Sequence, residues 1–207
     1  MKALSDHLSV AEYLATSHAD LVDDQWAAWE SSELLRESAG RFAADVFEPA
    51  REAVGVPLAL TSGFRCLELN RRVGGVSTSR HLLGLAADVR PVRLPLPVAM
   101  DRLHAALRAG GVRLLDKAIY ERIGGKEWIH IQAAINPGFG RRRLLTTTDG
   151  KVFTDWRPHD PAQATPRNRK NAPRRRDRLG DSLRARRHDP PWDHHWRDRP
   201  RRLSTLV

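Results

Sequence analysis

One cysteine, Cys66, stands in a chain of 207 residues. A disulfide framework needs pairs of cysteines and a thiolate zinc site needs several, so both are excluded. Long apolar runs are missing as well. No stretch approaches the roughly 20 apolar residues that a membrane-spanning helix requires. The N-terminal MKALSDHLSVAEY places charged and polar residues where a secretory signal would carry its apolar core, so Sec-type export is not expected. Acidic residues are in deficit: 25 Asp+Glu against 35 Lys+Arg give a formal net charge of +10. Such an excess points to an anionic partner such as nucleic acid, a membrane surface or a wall polymer.

The excess is not spread evenly. Residues 1–156 hold 20 Lys+Arg and 19 Asp+Glu, a net of +1, whereas residues 157–207 hold 15 and 6, a net of +9. The second segment also carries 7 of the 13 prolines and shows no apolar periodicity. It cannot bury enough apolar surface to offset its ordering entropy, so we expect a disordered basic tail over 157–207 behind a domain over 1–156. Trp192 and Trp196 could stack on bases, but no nucleic-acid-binding motif accompanies them, so nucleic acid is not the expected partner. The tail reads either as a device that binds anionic wall polymers or lipopolysaccharide or as a passive extension.

Within the first 156 residues, helices are expected over 8–18, 33–54, 67–73 and 98–109. Leu35, Phe42, Val46 and Ala53 form an apolar stripe on the second, and Met100, Leu103 and Leu107 on the fourth. Strands are expected over 58–61, 86–89, 112–115, 117–122 and 127–133. Strands and helices mixed without regular alternation predict an α+β domain, a small, mostly antiparallel sheet flanked by helices.

Two stretches carry metal-ligand chemistry. Ser79-Arg80-His81-Leu82-Leu83-Gly84-Leu85-Ala86-Ala87-Asp88 offers an imidazole and a carboxylate seven residues apart. Glu127-Trp128-Ile129-His130-Ile131-Gln132 offers a second imidazole on an expected strand, where alternation puts Trp128, His130 and Gln132 on one face and Ile129 and Ile131 on the core side. Catalytic zinc takes three such ligands. Taken singly, His81 also reads as a loop histidine, Asp88 as a turn residue and His130 as a hydrogen-bonded sheet residue.

The combination resembles the zinc D-Ala-D-Ala carboxypeptidases and L-alanoyl-D-glutamate peptidases, a family that includes phage endolysins and vancomycin-resistance dipeptidases. Residues 79–88 match the family's S-x-H-x-x-G-x-A-x-D pattern at every specified position. Upstream, Ser62-Gly63-Phe64-Arg65, then Glu68-Leu69-Asn70 and Val73-Gly74-Gly75, look like its S-G-[YF]-R…E-L-N…V-G-G block. Downstream, Glu127-Trp128-Ile129-His130 resembles its E-W-x-H block, and the likeness runs over roughly residues 8–156.

That resemblance implies a hedgehog/DD-peptidase-like fold and one zinc ion held by His81, Asp88 and His130. It implies Glu127 as the general base and Arg65 as the group that meets the oxyanion or the substrate carboxylate. Ser79 would touch substrate or shape the loop, and Trp128 would line the cleft or the core. An ideal strand sets Glu127 and His130 on opposite faces, so a bulge just after Gly124-Gly125 is expected. The implied activity is hydrolysis of the peptide part of peptidoglycan by a monomer, as a carboxypeptidase or an endolysin-type endopeptidase. The chain would be made in the cytoplasm and act at the wall after phage-assisted release. The alternative is a non-catalytic binding protein on a degenerate peptidase scaffold that uses its basic tail.

Overall fold

The computed structural model describes residues 2–136 and 140–159. The basic tail expected over 157–207 falls, from residue 160 on, outside the described residues. Two short strands, β1 (Ala3–Ser5) and β2 (Leu8–Ser9), pair antiparallel and lead into helix α1 (Val10–Leu14). The helix expected over 8–18 is therefore shorter. Ser9 ends it at the N-terminus with a capping box, its hydroxyl accepting from the Glu12 amide. Helix α2 (Val22–Ser31), which periodicity did not reveal, comes next.

The helix expected over 33–54 is present as one rod. It runs through α3 (Glu33–Phe42), a π-turn (Ala43–Phe47) and α4 (Glu48–Val54). Pro49 lacks the N–H that would bond back to the preceding turn, which accounts for the widened π-turn there. The rod ends at Gly55, whose φ of 74° is a left-handed cap.

Strand β3 (Leu58–Ser62), helix α5 (Leu67–Arg72), strand β4 (Ala86–Pro91) and helix α6 (Leu96–Arg108) lie within about two residues of their expected bounds. Residues 112–115 do not form the separate strand expected of them; β5 spans Leu115–Ile123 and pairs with β6 (Lys126–Ala133). Two further strands, β7 (Arg143–Thr147) and β8 (Thr154–Asp155), were not legible in the pattern. The six-stranded sheet has the order β3-β4-β6-β5-β7-β8, antiparallel throughout except for the parallel β5–β7 pair. This is the expected α+β class.

Alternation divides the sheet. Ile129, Ile131, Val89, Ala87 and Ala118 are buried in one core with Phe42, Val46, Met100 and Leu103 from the long rod and α6. His130, Asp88 and Gln132 lie on the other face. The body continues past Trp156: its indole N–H and the backbone N–H of His159 both donate to Asp101 on α6. No helix among the described residues is long and apolar enough to cross a membrane.

Candidate metal centre

Three chain segments bring His81, Asp88 and His130 together. His81 sits in a single 3-10 turn (Arg80–Leu83) capped by Ser79, whose hydroxyl accepts from the His81 amide at 3.3 Å. Ser79 thus shapes the loop that carries the imidazole. The turn closes at Gly84, where φ is 67° and a Cβ would crowd Leu35 at 2.8 Å. Asp88 on β4 and His130 on β6 are direct register partners, so the sheet itself sets them side by side.

The donor atoms of these three residues lie within 4.8 Å of one another, and they form the one such cluster among the described residues. His130 Nδ1 lies 2.9 Å from Asp88 Oδ1 and 3.2 Å from His81 Nε2. Each outward nitrogen faces a carbonyl oxygen. His81 Nδ1 meets the Gly63 carbonyl at 2.6 Å, which can only accept, so Nδ1 carries the proton and Nε2 presents a lone pair inward. His130 Nε2 meets Gln132 Oε1 at 3.1 Å, so a proton on Nε2 is accepted there, while Nδ1 faces the Asp88 carboxylate, where a metal ion could take the place of a proton. Two imidazole lone pairs and one carboxylate, all buried or nearly so, make a donor set that could hold a divalent metal ion.

The electrostatics agree. Burial opposes charge on Asp88, yet the fields and hydrogen bonds of His81 and His130 outweigh it and hold its carboxyl far below the ordinary range. Burial lowers the His81 imidazole against the pull of Asp88, which keeps it neutral. Burial opposes charge on His130 too, but Asp88 raises it. The same negative pull would favour a cation among the three donors.

Arg65 completes the surroundings. Its guanidinium pairs with Asp88 Oδ2, and its Nε donates to Ser62 Oγ at 2.8 Å. The alternative partner, Glu68, is engaged with Arg71 and Arg72 instead. The loop that bears Arg65 is clamped by a residue that sequence reasoning missed. Gln25, fully buried on α2, accepts from the Cys66 amide at 2.5 Å and donates to the Phe64 carbonyl at 2.9 Å and the Leu14 carbonyl at 3.3 Å. These bonds bracket Arg65 on both sides. Each buried group orphaned by Gln25→Leu costs about 1–3 kcal/mol, so we expect at least about 2 kcal/mol less stability in denaturant unfolding.

Glu127 is not brought to the cluster. The expected bulge is absent, because Gly124 and Gly125 take φ of 59° and 76° and close β5–β6 as a two-residue turn with no extra residue. The ladder is regular from that turn, so Glu127 pairs with Arg122 on the face opposite His130. Its carboxylate accepts from the Tyr120 hydroxyl at 2.6 Å.

The carboxylate on the metal-ligand face is Glu121. It pairs with Trp128, while Ile119 two residues back pairs with His130. Burial raises its carboxyl above the ordinary value, and the field of His130, the field of Asp88 and the field of Arg65 all reach it. A signal for this was present in the sequence. Once Gly-Gly is read as a two-residue hairpin loop, residues equidistant from it must face each other, and Glu121 falls on the side of His130.

Comparison with the curated proteins found no match. The family model described as Peptidase M15 matches residues 22–132, more than half of the chain, and this span contains all three donors, Arg65, Glu121 and Glu127. With that match laid over a buried His-Asp-His cluster, the chain belongs to the Peptidase M15 family, zinc metallopeptidases that act on peptidoglycan.

Proposed function

We propose that this chain hydrolyses a peptide bond in the stem peptides of peptidoglycan, with zinc held by His81, Asp88 and His130. The observation that carries the reading is the convergence of three donors within 4.8 Å, with the outward nitrogen of each imidazole facing a carbonyl oxygen that accepts. Zinc bound there would supply a Lewis acid that polarises a carbonyl and acidifies water. Two neutral imidazoles and one carboxylate leave such a site with a charge of +1, which suits an oxyanion.

The remaining steps belong to the chain's own side chains. Glu121 takes the proton of the attacking water and gives it to the leaving amine. Its raised carboxyl suits the second half of that task, since a base that is too acidic returns the proton poorly. Arg65, anchored by Ser62 and Asp88, brings fixed positive charge to the developing oxyanion or to a substrate carboxylate. In this reading the chain is made in the cytoplasm and acts at the wall after release by a separate factor.

The test is mass spectrometry of fragments released from purified peptidoglycan, with and without a zinc chelator. We expect release that stops on chelation and returns with added zinc. Free D-alanine would mark a carboxypeptidase, and cut cross-links or stem peptides freed from the glycan an endopeptidase. Release that persists without metal, or zinc-loaded protein that releases nothing, would overturn the reading.

A further inference from the structure

Beyond His130 runs a chain of buried polar groups that the reaction itself does not use. Gln132, two residues along β6 and on the same face, accepts at Oε1 from His130 Nε2. Its Nε2 donates to Asp116 Oδ2 at 2.7 Å. Asp116 Oδ1 accepts from Arg141 Nε at 2.8 Å, and Oδ2 from Arg141 Nη2 at 2.8 Å. Asp116 and Gln132 are 3% and 5% exposed, so little water competes for these bonds.

A break in the ladder is what makes the arrangement possible. Leu115 pairs with Ala133 and Lys117 with Gln132, so Asp116 is an extra residue on β5. In an unbroken strand its side chain would lie on the face opposite that of Lys117 and Gln132. The bulge re-aims it at Gln132.

The logic of donors and acceptors then runs one way. The paired Arg141 guanidinium holds the Asp116 carboxyl down at about 2, so at neutral pH it can only accept. Gln132 must turn its NH₂ end towards it. The carbonyl end is left for His130, and a carbonyl also only accepts. His130 Nδ1 itself faces the Asp88 carboxylate at 2.9 Å, so a metal ion takes the place of any proton there. Nε2 keeps its proton on the Gln132 carbonyl while the Nδ1 lone pair turns to the ion. A reversed Gln132 amide would donate to Nε2, drive the proton to Nδ1 and remove one ligand.

We propose that Asp116 and Gln132 are positioning residues that set the tautomer of His130, and through it the affinity for metal, from outside the ligand set. The inference rests on the zinc reading above, and its failure is separable from that one. Zinc affinity is measured on the full chain by competition with a chromophoric chelator. Gln132→Leu should weaken it by about 10- to 100-fold. Gln132→Glu loses the Asp116 bond as well, but it keeps an acceptor facing His130 Nε2 and should stay within about threefold of the parent chain.

A purely structural role would lower stability in both variants and leave their zinc affinities alike. Equal affinity of Gln132→Leu and the parent, or equal weakening in both variants, overturns the proposal. A parent chain that takes up no zinc instead overturns the functional reading. Nitrogen NMR of the zinc-loaded parent chain tests the tautomer without any variant. The proton should be found on His130 Nε2 with the metal on Nδ1, and the reverse would overturn the proposal.

Discussion

Glu121→Gln should abolish hydrolysis while the protein still folds and binds zinc. Positioned proton transfer contributes about 10²- to 10⁴-fold to such reactions, and an amide cannot take a proton at this position. We therefore expect a rate loss in that range, measured as initial release of peptide fragments, with zinc content unchanged by elemental analysis. Glu127→Gln is the partner experiment. Its carboxylate is bonded to the Tyr120 hydroxyl on the far face of the sheet, so turnover should change by less than about threefold, as for surface changes away from the chemistry. The reverse pattern, with Glu127 essential and Glu121 dispensable, would mean that β6 rearranges when substrate binds. The pH profile adds a check with a definite sign. The Glu121 carboxyl lies above its ordinary 4.5 because of burial first, and the base form is the active one. The acid limb of kcat/KM should thus fall as pH drops through a value above that of an exposed glutamate, and Glu121→Gln should remove this limb along with the activity.

Gly63→Ala should damage both the fold and the centre. Ideal Cβ geometry at Gly63 collides with the backbone carbonyl and the ring of Tyr13. Tyr13 cannot step aside, being fully buried with its hydroxyl donated to the Ala86 carbonyl at 3.0 Å and its own carbonyl accepting from the Phe64 amide. The loop would have to move, and the Gly63 carbonyl that orients His81 would move with it. Losses above about 3 kcal/mol are expected from a backbone clash of this kind, measured by denaturant unfolding, together with a marked loss of zinc affinity. Gly74→Ala serves as the control. Its φ of 74° is strained for alanine, but no atom lies within 4 Å of the added methyl. The cost there should be about 1 kcal/mol, with zinc binding intact.

The legible parts of this protein were those set by local pattern. The stripe of Leu35, Phe42 and Val46 foretold a helical rod, and alternation around Ile129 and Ile131 foretold which face of β6 would carry His130. The convergence of His81, Asp88 and His130 was foreshadowed by the family resemblance and not by spacing, since 42 residues separate Asp88 from His130. What stayed hidden depended on partners far away in the chain. Strand β7 is ordered by parallel pairing with β5, which a five-residue segment cannot announce. Helix α2 hid because it buries the amide of Gln25 alongside Trp29, so it has no clean apolar stripe. Glu127 was expected at the cluster through a bulge after Gly124-Gly125, but the two glycines close a regular two-residue turn, so the alternation of β6 keeps it on the face opposite His130. Asp116 was invisible for a similar reason: only the pairing of Leu115 with Ala133 and of Lys117 with Gln132 shows that it is an inserted residue.

The direct pairing of Asp88 with His130 makes the centre a judge of strand alignment. A slip of one residue between β4 and β6 would set Asp88 opposite Ile129 or Ile131 and turn one of the two ligands towards the apolar layer. A sheet misaligned by one residue cannot then assemble the three donors. Metal present during refolding would stabilise the native pairing alone, by an amount that grows with the logarithm of its free concentration. The ion that serves the chemistry would in this way also proofread the central pair of strands while the domain is being made.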